Sequence, residues 1–190
     1  MGRLTFEQIK EIVNHKEHIK NEYKRYNFNI FVETGTHIGS TTFAVAPYFE
    51  QVYTAELSTQ FYEHCKQQAV IKNITNIKFY NSSSDKVIEA LSKEIKVPAI
   101  FFLDSHWSKE NTARGEVDVP LLYELKFIKQ RNLPDIIIID DYRLFGTGGD
   151  GEVDWTYITE ESIKNVLGNN IFDILPLNDR YTIFLKTVSS

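Results

Sequence analysis

The sequence predicts an open, doubly wound α/β sheet, mostly parallel, with an antiparallel hairpin at its C-terminal end. Three observations carry that expectation. Strand-like and helix-like segments alternate along most of the chain, the pattern of βαβ units. Residues 99–103 and 136–139 are apolar at every position, as befits strands covered on both faces. Segments 172–177 and 181–186 flank Asn178-Asp179, a turn pair that joins antiparallel strands.

Taken in order, residues 5–26 read as one amphipathic helix. Thr5 can cap it with Gln8 three positions on, and Phe6, Ile9, Ile12, Val13 and Ile19 recur at helical spacing. The short apolar run Asn29-Ile30-Phe31-Val32 breaks into Glu33-Thr34-Gly35-Thr36-His37-Ile38-Gly39-Ser40-Thr41-Thr42, which reads as strand, glycine turn and helix start. A second strand, 51–55, ends at Glu56, and Ser58 can cap a helix reaching about residue 71. A third strand, 77–80, closes on Asn81-Ser82-Ser83-Ser84. The helix after it carries Val87, Ile88, Leu91 and Ile95 on one face. Pro98 opens the fourth strand, 99–103, which ends in Asp104-Ser105-His106-Trp107; a polar loop leads to a helix over 117–131. Pro134 precedes the fifth strand, which ends at Asp140-Asp141. A glycine-rich loop, 146–151, and a helix near 160–168 lead to the hairpin. Nothing in the texture splits the chain, so residues 1–190 are expected to form a single domain, 1–27 a helical lead-in and 28–187 the core.

Composition narrows the function classes. A chain of 190 residues can bury about 70% of its unfolded surface in one core. Its 42% hydrophobic and 25% charged residues are ordinary for a globular protein. There is no apolar run long enough for a membrane span, and the polar N-terminus lacks a signal core. The one cysteine, Cys65, suits a reducing cytoplasm, the expected location. The net charge of −5 argues against nucleic acid as a partner.

In an open parallel sheet, ligands bind beyond the carboxyl ends of the strands. Four of the five ends here carry carboxylates: Glu33, Glu56, Asp104 and the pair Asp140-Asp141. Acids gathered at one edge repel each other unless a cation or hydroxyl groups satisfy them. Glu33-x-Gly35-x-x-x-Gly39 allows close backbone approach to a ligand, with Gly39 at the helix start, and Glu56 stands where nucleotide-binding sheets place an acid for ribose hydroxyls. The Gly-x-Gly-x-x-Gly fingerprint of dehydrogenases is absent, and Glu33 suits an ammonium group better than a pyrophosphate.

These motifs, Glu33 to Thr42, Glu56-Leu57-Ser58, Leu103-Asp104-Ser105-His106-Trp107 and Ile139-Asp140-Asp141, resemble those of class I S-adenosylmethionine-dependent methyltransferases, which have a Rossmann-like fold; the likeness spans residues 28–187. The acid after strand 4 and the Asp-Asp pair after strand 5 resemble the Mg²⁺-dependent O-methyltransferases of the catechol and macrocin types. His37 departs from the commonest pattern by replacing a middle glycine. The resemblance implies that Glu33, Gly35 and Gly39 border the methionine part of the cofactor, Glu56 the ribose, and Ser83 or Ser84 the adenine edge. Thr36, Thr41, Thr42, Leu57, Ser58 and Asp104 complete the implied cofactor set. It further implies Asp104, Asp140 and Asp141 as ligands of Mg²⁺.

That metal reading has its own chemistry: a hard cation favours carboxylates and water, and a bound hydroxyl loses its proton more readily. The plainer alternative is that Asp140 or Asp141 caps a turn. For the proton, His106 and Lys109 are the candidate bases beside Asp104, while a loop histidine packed on Trp107 is the plain reading of His106. The expected acceptor is a hydroxyl on a small molecule or sugar, under a lid formed by the N-terminal helix, the 105–116 loop and the 142–158 segment with Tyr142, Arg143, Trp155 and Tyr157. No nucleic acid or membrane partner is expected; a homodimer stays open. Two other classes remain: a catalytically silent cofactor-binding protein of the same fold, and a metal-dependent hydrolase or lyase on an α/β sheet.

Overall fold

The computed structural model describes residues 3–106, 118–148 and 153–189. Its centre is a seven-stranded sheet in the order β3-β2-β1-β4-β5-β7-β6. The strands are β1 (Ile30–Thr34), β2 (Gln51–Glu56), β3 (Ile77–Asn81), β4 (Ile100–Leu103), β5 (Ile136–Ile139), β6 (Ile171–Leu177) and β7 (Arg180–Leu185). β1 to β5 pair in parallel; β7 runs antiparallel to both β5 and β6. This is the expected doubly wound sheet with its terminal hairpin. Asn178 and Asp179 both take left-handed backbone at the hairpin turn, a conformation these residues tolerate.

The helices are α1 (Phe6–Asn14), α2 (Glu17–Tyr23), α3 (Ser40–Val45), α4 (Thr59–Ile71), α5 (Ser84–Glu94), α6 (Leu121–Gln130) and α7 (Glu160–Leu167). Each central strand divides its side chains between two cores. Phe101, Leu103, Ile137 and Ile139 pack with α5, α6 and α7, whereas Ile100, Phe102, Ile136 and Ile138 pack with α1 and α2. Burial on both faces is why these strands carry no polar position. Among the described residues, no helix is long and apolar enough to cross a membrane.

Two helix boundaries and one cap differ from the sequence reading. The helix expected over 5–26 is two helices. Thr5 forms the expected capping box with Gln8, but Lys16 is extended and its ammonium reaches the Asp173 carboxylate at 3.1 Å and the Ile174 carbonyl on β6. Amphipathic spacing persists across the break, so the periodicity conceals it. Ser58 stands at the start of α4, yet its hydroxyl makes no capping bond. α6 starts at Leu121, not 117: Val119 precedes Pro120, and a residue before proline is disfavoured in helical backbone. Within the helix expected over 117–131, residue 117 lies outside the described residues, as does most of the 105–116 loop.

One buried ion pair ties the far end of the sheet together. Arg131, just past α6, and Asp135, just before β5, have fully buried side chains 2.7 Å apart. Asp135 also accepts the Ala99 amide before β4, and Arg131 donates to the carbonyls of Ile95 and Val97. Breaking such a pair leaves an uncompensated buried charge. Arg131→Ala should therefore lower stability by about 3–5 kcal/mol, measured as a fall in the urea midpoint with unchanged slope. A loss below about 1 kcal/mol would show the pair to be expendable.

Candidate functional site

The strand order places a topological switch point between β1 and β4, whose carboxyl ends frame the crevice where open α/β sheets bind ligands. Gly35 sits at that crossing with φ +82°, and a Cβ there would overlap the backbone carbonyl of Asp104. Glycine is thus required for the ends of β1 and β4 to touch. On one side of the crossing lies a loop built around Glu56; on the other lies a cluster of acids.

Glu56, at the end of β2, is mostly buried. Its carboxylate accepts the His37 amide at 2.7 Å and the Ser58 amide at 2.8 Å, clasping the loops after β1 and β2. His37, in the place of the middle glycine, adopts left-handed backbone (φ +48°), packs its ring on Phe61, and accepts Cys65 Sγ at its carbonyl. Leu57 offers its carbonyl to Asn81. Gly39 also has a left-handed φ (+79°), but a Cβ there would meet the Phe43 ring at 2.5 Å and Cys65 Sγ at 3.2 Å. Its bareness serves the packing of α3, and not only the approach of a ligand as the sequence suggested.

Several hydroxyls expected at the cofactor are engaged by the protein. Thr41 Oγ1 accepts the Leu4 amide. Thr42 and Thr54 both donate to Glu33, and Thr36 shares a 2.6 Å bond with Thr54. Glu33 is buried beneath the glycine loop, and burial raises its carboxyl to about 7 despite the two hydroxyl donors, which favour the charged form. Ser84 Oγ lies 2.9 Å from Ser105 Oγ. Ser83 Oγ is buried without a hydrogen-bond partner at the end of β3, the kind of atom a ligand satisfies.

The acid cluster lies beyond β4 and β5. Asp104 is held well above the usual carboxylate range by burial, with Asp140, Asp141 and Glu33 adding repulsion and Arg180 opposing. Asp140 is raised by burial too, against the opposing charge of Arg180, whose Nε donates to Asp140 Oδ1 at 3.2 Å. Asp141, in left-handed backbone (φ +57°), accepts Arg143 at 2.6 Å on Oδ1. His106 stands between the acids: Nδ1 is 3.7 Å from Asp104 Oδ1 and Nε2 is 3.4 Å from Asp141 Oδ2. Its ring packs edge-on against Trp155, with centroids 5.2 Å apart.

The structure therefore gathers Asp104, His106 and Asp141, each offering one ligand atom within 4.8 Å of the others. This departs from the expected trio of acids, because Arg180 engages Asp140 and His106 joins in its stead. Asp104 Oδ1 and Asp141 Oδ2 are buried oxygens without hydrogen-bond partners, so the set fits a divalent cation. Lys109, the second candidate base, and Trp107 lie outside the described residues.

Two residues of this neighbourhood escape the sequence reading. Glu124 is buried on α6, 2.7 Å from Ser105 Oγ, and burial raises its carboxyl to about 7. Its place between Leu121, Leu125 and Ile128 on the apolar face was the available signal. Arg180 opens a fully buried strand, and nothing in its spacing points to Asp140.

No family model matches this chain, and no curated protein matches it. Solved structures do. A Klebsiella pneumoniae protein proposed to be an O-methyltransferase is 13% identical, with 97% of this chain and 82% of that chain covered and a TM-score of 0.62. A Clostridium thermocellum protein proposed to be an rRNA methylase is 12% identical over 99% and 100% of the two chains, with a TM-score of 0.59. A Streptococcus mutans protein proposed to be a methyltransferase, solved with S-adenosylhomocysteine, is 18% identical over 91% and 99%, with a TM-score of 0.55. At such identities the likeness establishes the fold: the chain has the Rossmann-like architecture of these structures.

Two consequences are measurable. Gly39→Ala should cost about 2–3 kcal/mol from left-handed strain and overlap with Phe43. Adding Phe43→Leu should recover part of that loss in thermal unfolding, whereas a deficit unchanged by removing the ring would show that contact with Phe43 is not what keeps Gly39 bare. For Glu33, the raised folded value means that the folded protein keeps a proton which the unfolded chain releases above pH 4.5. The stability this proton confers is complete below pH 4.5 and lost as pH rises through about 7. Glu33→Gln should thus gain about 2–3 kcal/mol over the parent at pH 8 and lose that advantage by pH 4.5. Parallel pH–stability curves would refute the buried neutral carboxyl.

Proposed function

We propose that this chain is an S-adenosylmethionine-dependent methyltransferase that O-methylates a hydroxyl of a small molecule or sugar with the help of a divalent cation. The observation that carries this is the meeting, at the β1–β4 crossing, of the Glu56 clasp with the Asp104–His106–Asp141 cluster. Several solved structures of like fold are proposed methyltransferases, one of them holding S-adenosylhomocysteine, which supports the reading.

When bound, the cofactor supplies a methyl group on a sulfonium centre and the cation supplies a Lewis acid for the acceptor oxygen. The chain's own groups do the rest. Glu56 keeps lone pairs beyond its two amide bonds for the ribose hydroxyls, and Ser83 Oγ offers a partner at the adenine side. Glu33, under the glycine loop, would be drawn to its charged form by an ammonium group bound beside it. Asp104 Oδ1 and Asp141 Oδ2, buried without hydrogen-bond partners, would hold the cation, and the proton leaving the acceptor would pass to the second carboxylate oxygen of Asp104, a group whose raised pKa suits it to take one. Leu121, Ile139 and Trp155 give the cleft beside Asp104 and His106 an apolar wall. The acidic edge and the net charge of −5 disfavour RNA as the acceptor, although two fold neighbours are an rRNA methylase and a proposed one.

Calorimetry with S-adenosylhomocysteine tests the cofactor half. Glu56→Ala, with its fold verified by circular dichroism, should weaken binding by about 2–3 kcal/mol, since bonds to a charged group are worth about 1.5–3 kcal/mol each and are not additive. Unchanged affinity removes Glu56 from the site. Labelled methyl transfer to a panel of sugars and phenols, with and without chelator, tests the acceptor half; transfer that survives exhaustive chelation removes the cation.

A further inference from the structure

The acids at the edge of the sheet are not equivalent. Arg180 is 4% exposed, lies over the Phe102 ring and holds Asp140 Oδ1. Drawing Asp140 onto a cation would strip a buried guanidinium of this carboxylate, a costly change in an apolar setting. The atoms that converge are Asp104 Oδ1, a ring nitrogen of His106 and Asp141 Oδ2. Both oxygens are buried without hydrogen-bond partners, and the Asp141 side chain is 3% exposed.

The separations are informative. A protonated imidazole bridging two carboxylates would close to about 2.7–2.9 Å on each. The observed 3.4 and 3.7 Å are longer. Donors that each lie about 2.0–2.2 Å from a shared ion stand about 3–3.5 Å apart, which matches the 3.4 Å between His106 Nε2 and Asp141 Oδ2, while an Asp104 oxygen lies within 4.8 Å of the set.

We infer that Asp104, His106 and Asp141 form a mixed nitrogen–oxygen cation site that takes a borderline transition metal of the Co²⁺ or Zn²⁺ kind in preference to Mg²⁺. Mg²⁺ favours an all-oxygen octahedron, whereas an imidazole beside two carboxylates suits metals that accept nitrogen. This deepens the reading of the edge as a methyl-transfer site: it assigns His106 to holding the cation, and Arg180 to keeping Asp140 out of the ligand set.

The test is metal binding to chelator-stripped protein, read by calorimetry for Co²⁺ and Mg²⁺ and by the visible absorption of Co²⁺. Co²⁺ should bind at least a hundredfold tighter than Mg²⁺. Because Co²⁺ outbinds Mg²⁺ at most sites, the deciding result is His106→Ala. That variant should lose at least tenfold in Co²⁺ affinity, change little toward Mg²⁺ and shift the cobalt absorption. Asp140→Asn should keep Co²⁺ affinity within threefold. His106→Ala with unaltered Co²⁺ binding overturns the inference, as does collapse of binding in a folded Asp140→Asn protein. Should either variant fail to fold, spin-echo measurement on the Mn²⁺-loaded parent decides: modulation from a coordinated imidazole nitrogen supports the site, and its absence refutes it. S-adenosylhomocysteine titrated into the same parent sample separates the two claims. Cofactor binding without nitrogen ligation refutes the mixed site alone; nitrogen ligation without cofactor binding refutes the methyltransferase reading alone.

Discussion

The structure depends on one steric constraint, the contact between the backbones of Gly35 and Asp104. A Cβ on Gly35 would lie inside the Asp104 carbonyl, so the ends of β1 and β4 approach as closely as two chains can. The constraint sits where the sheet reverses direction: β1 leads outward to β2 and β3, while β4 begins the other half toward β5 and the hairpin. It brings a loop of clasped amides against a cluster of acids that the chain places about 70 residues later. The parallel register between β1 and β4, with Thr34 opposite Leu103, carries the strands evenly up to that point.

Buried charge is the second organising element, and the chain handles it differently at the two edges of the sheet. At the amino edge, Asp135 is matched by Arg131 and by the Ala99 amide, so the group is satisfied and structural. At the carboxyl edge, Asp140 has Arg180 and Asp141 has Arg143 on one oxygen, but Asp104 Oδ1 and Asp141 Oδ2 remain without hydrogen-bond partners. Satisfied polar groups hold a fold together; unsatisfied ones at a crevice are what ligands complete. The contrast separates architecture from site without appeal to any relative.

The hairpin does more than finish the sheet. Its turn supplies Asp179, which accepts the Arg143 amide, and the next residue, Arg180, engages Asp140. The last strand pair thereby sets a guanidinium against the first of the two acids after β5. A terminal element thus governs charge at a centre assembled from the middle of the chain.

The strand–helix alternation, the doubly buried runs at 99–103 and 136–139, the turn at Asn178-Asp179 and the capping box at Thr5 were all legible in the sequence, because each follows from local spacing and backbone preference. The gathering of acids at one edge was legible as well, since parallel topology alone sends Glu33, Glu56, Asp104 and Asp140-Asp141 to the same side. The fate of each side chain was not. Thr41 turned to Leu4, Lys16 broke a helix to reach Asp173, Arg180 engaged Asp140, and His106 entered between Asp104 and Asp141. Every one of these is a contact between residues far apart in the chain or a choice among rotamers at one strand end. Periodicity reports which face a residue occupies; it carries no record of the partner that packing brings opposite, and partner identity is what only the tertiary structure decided.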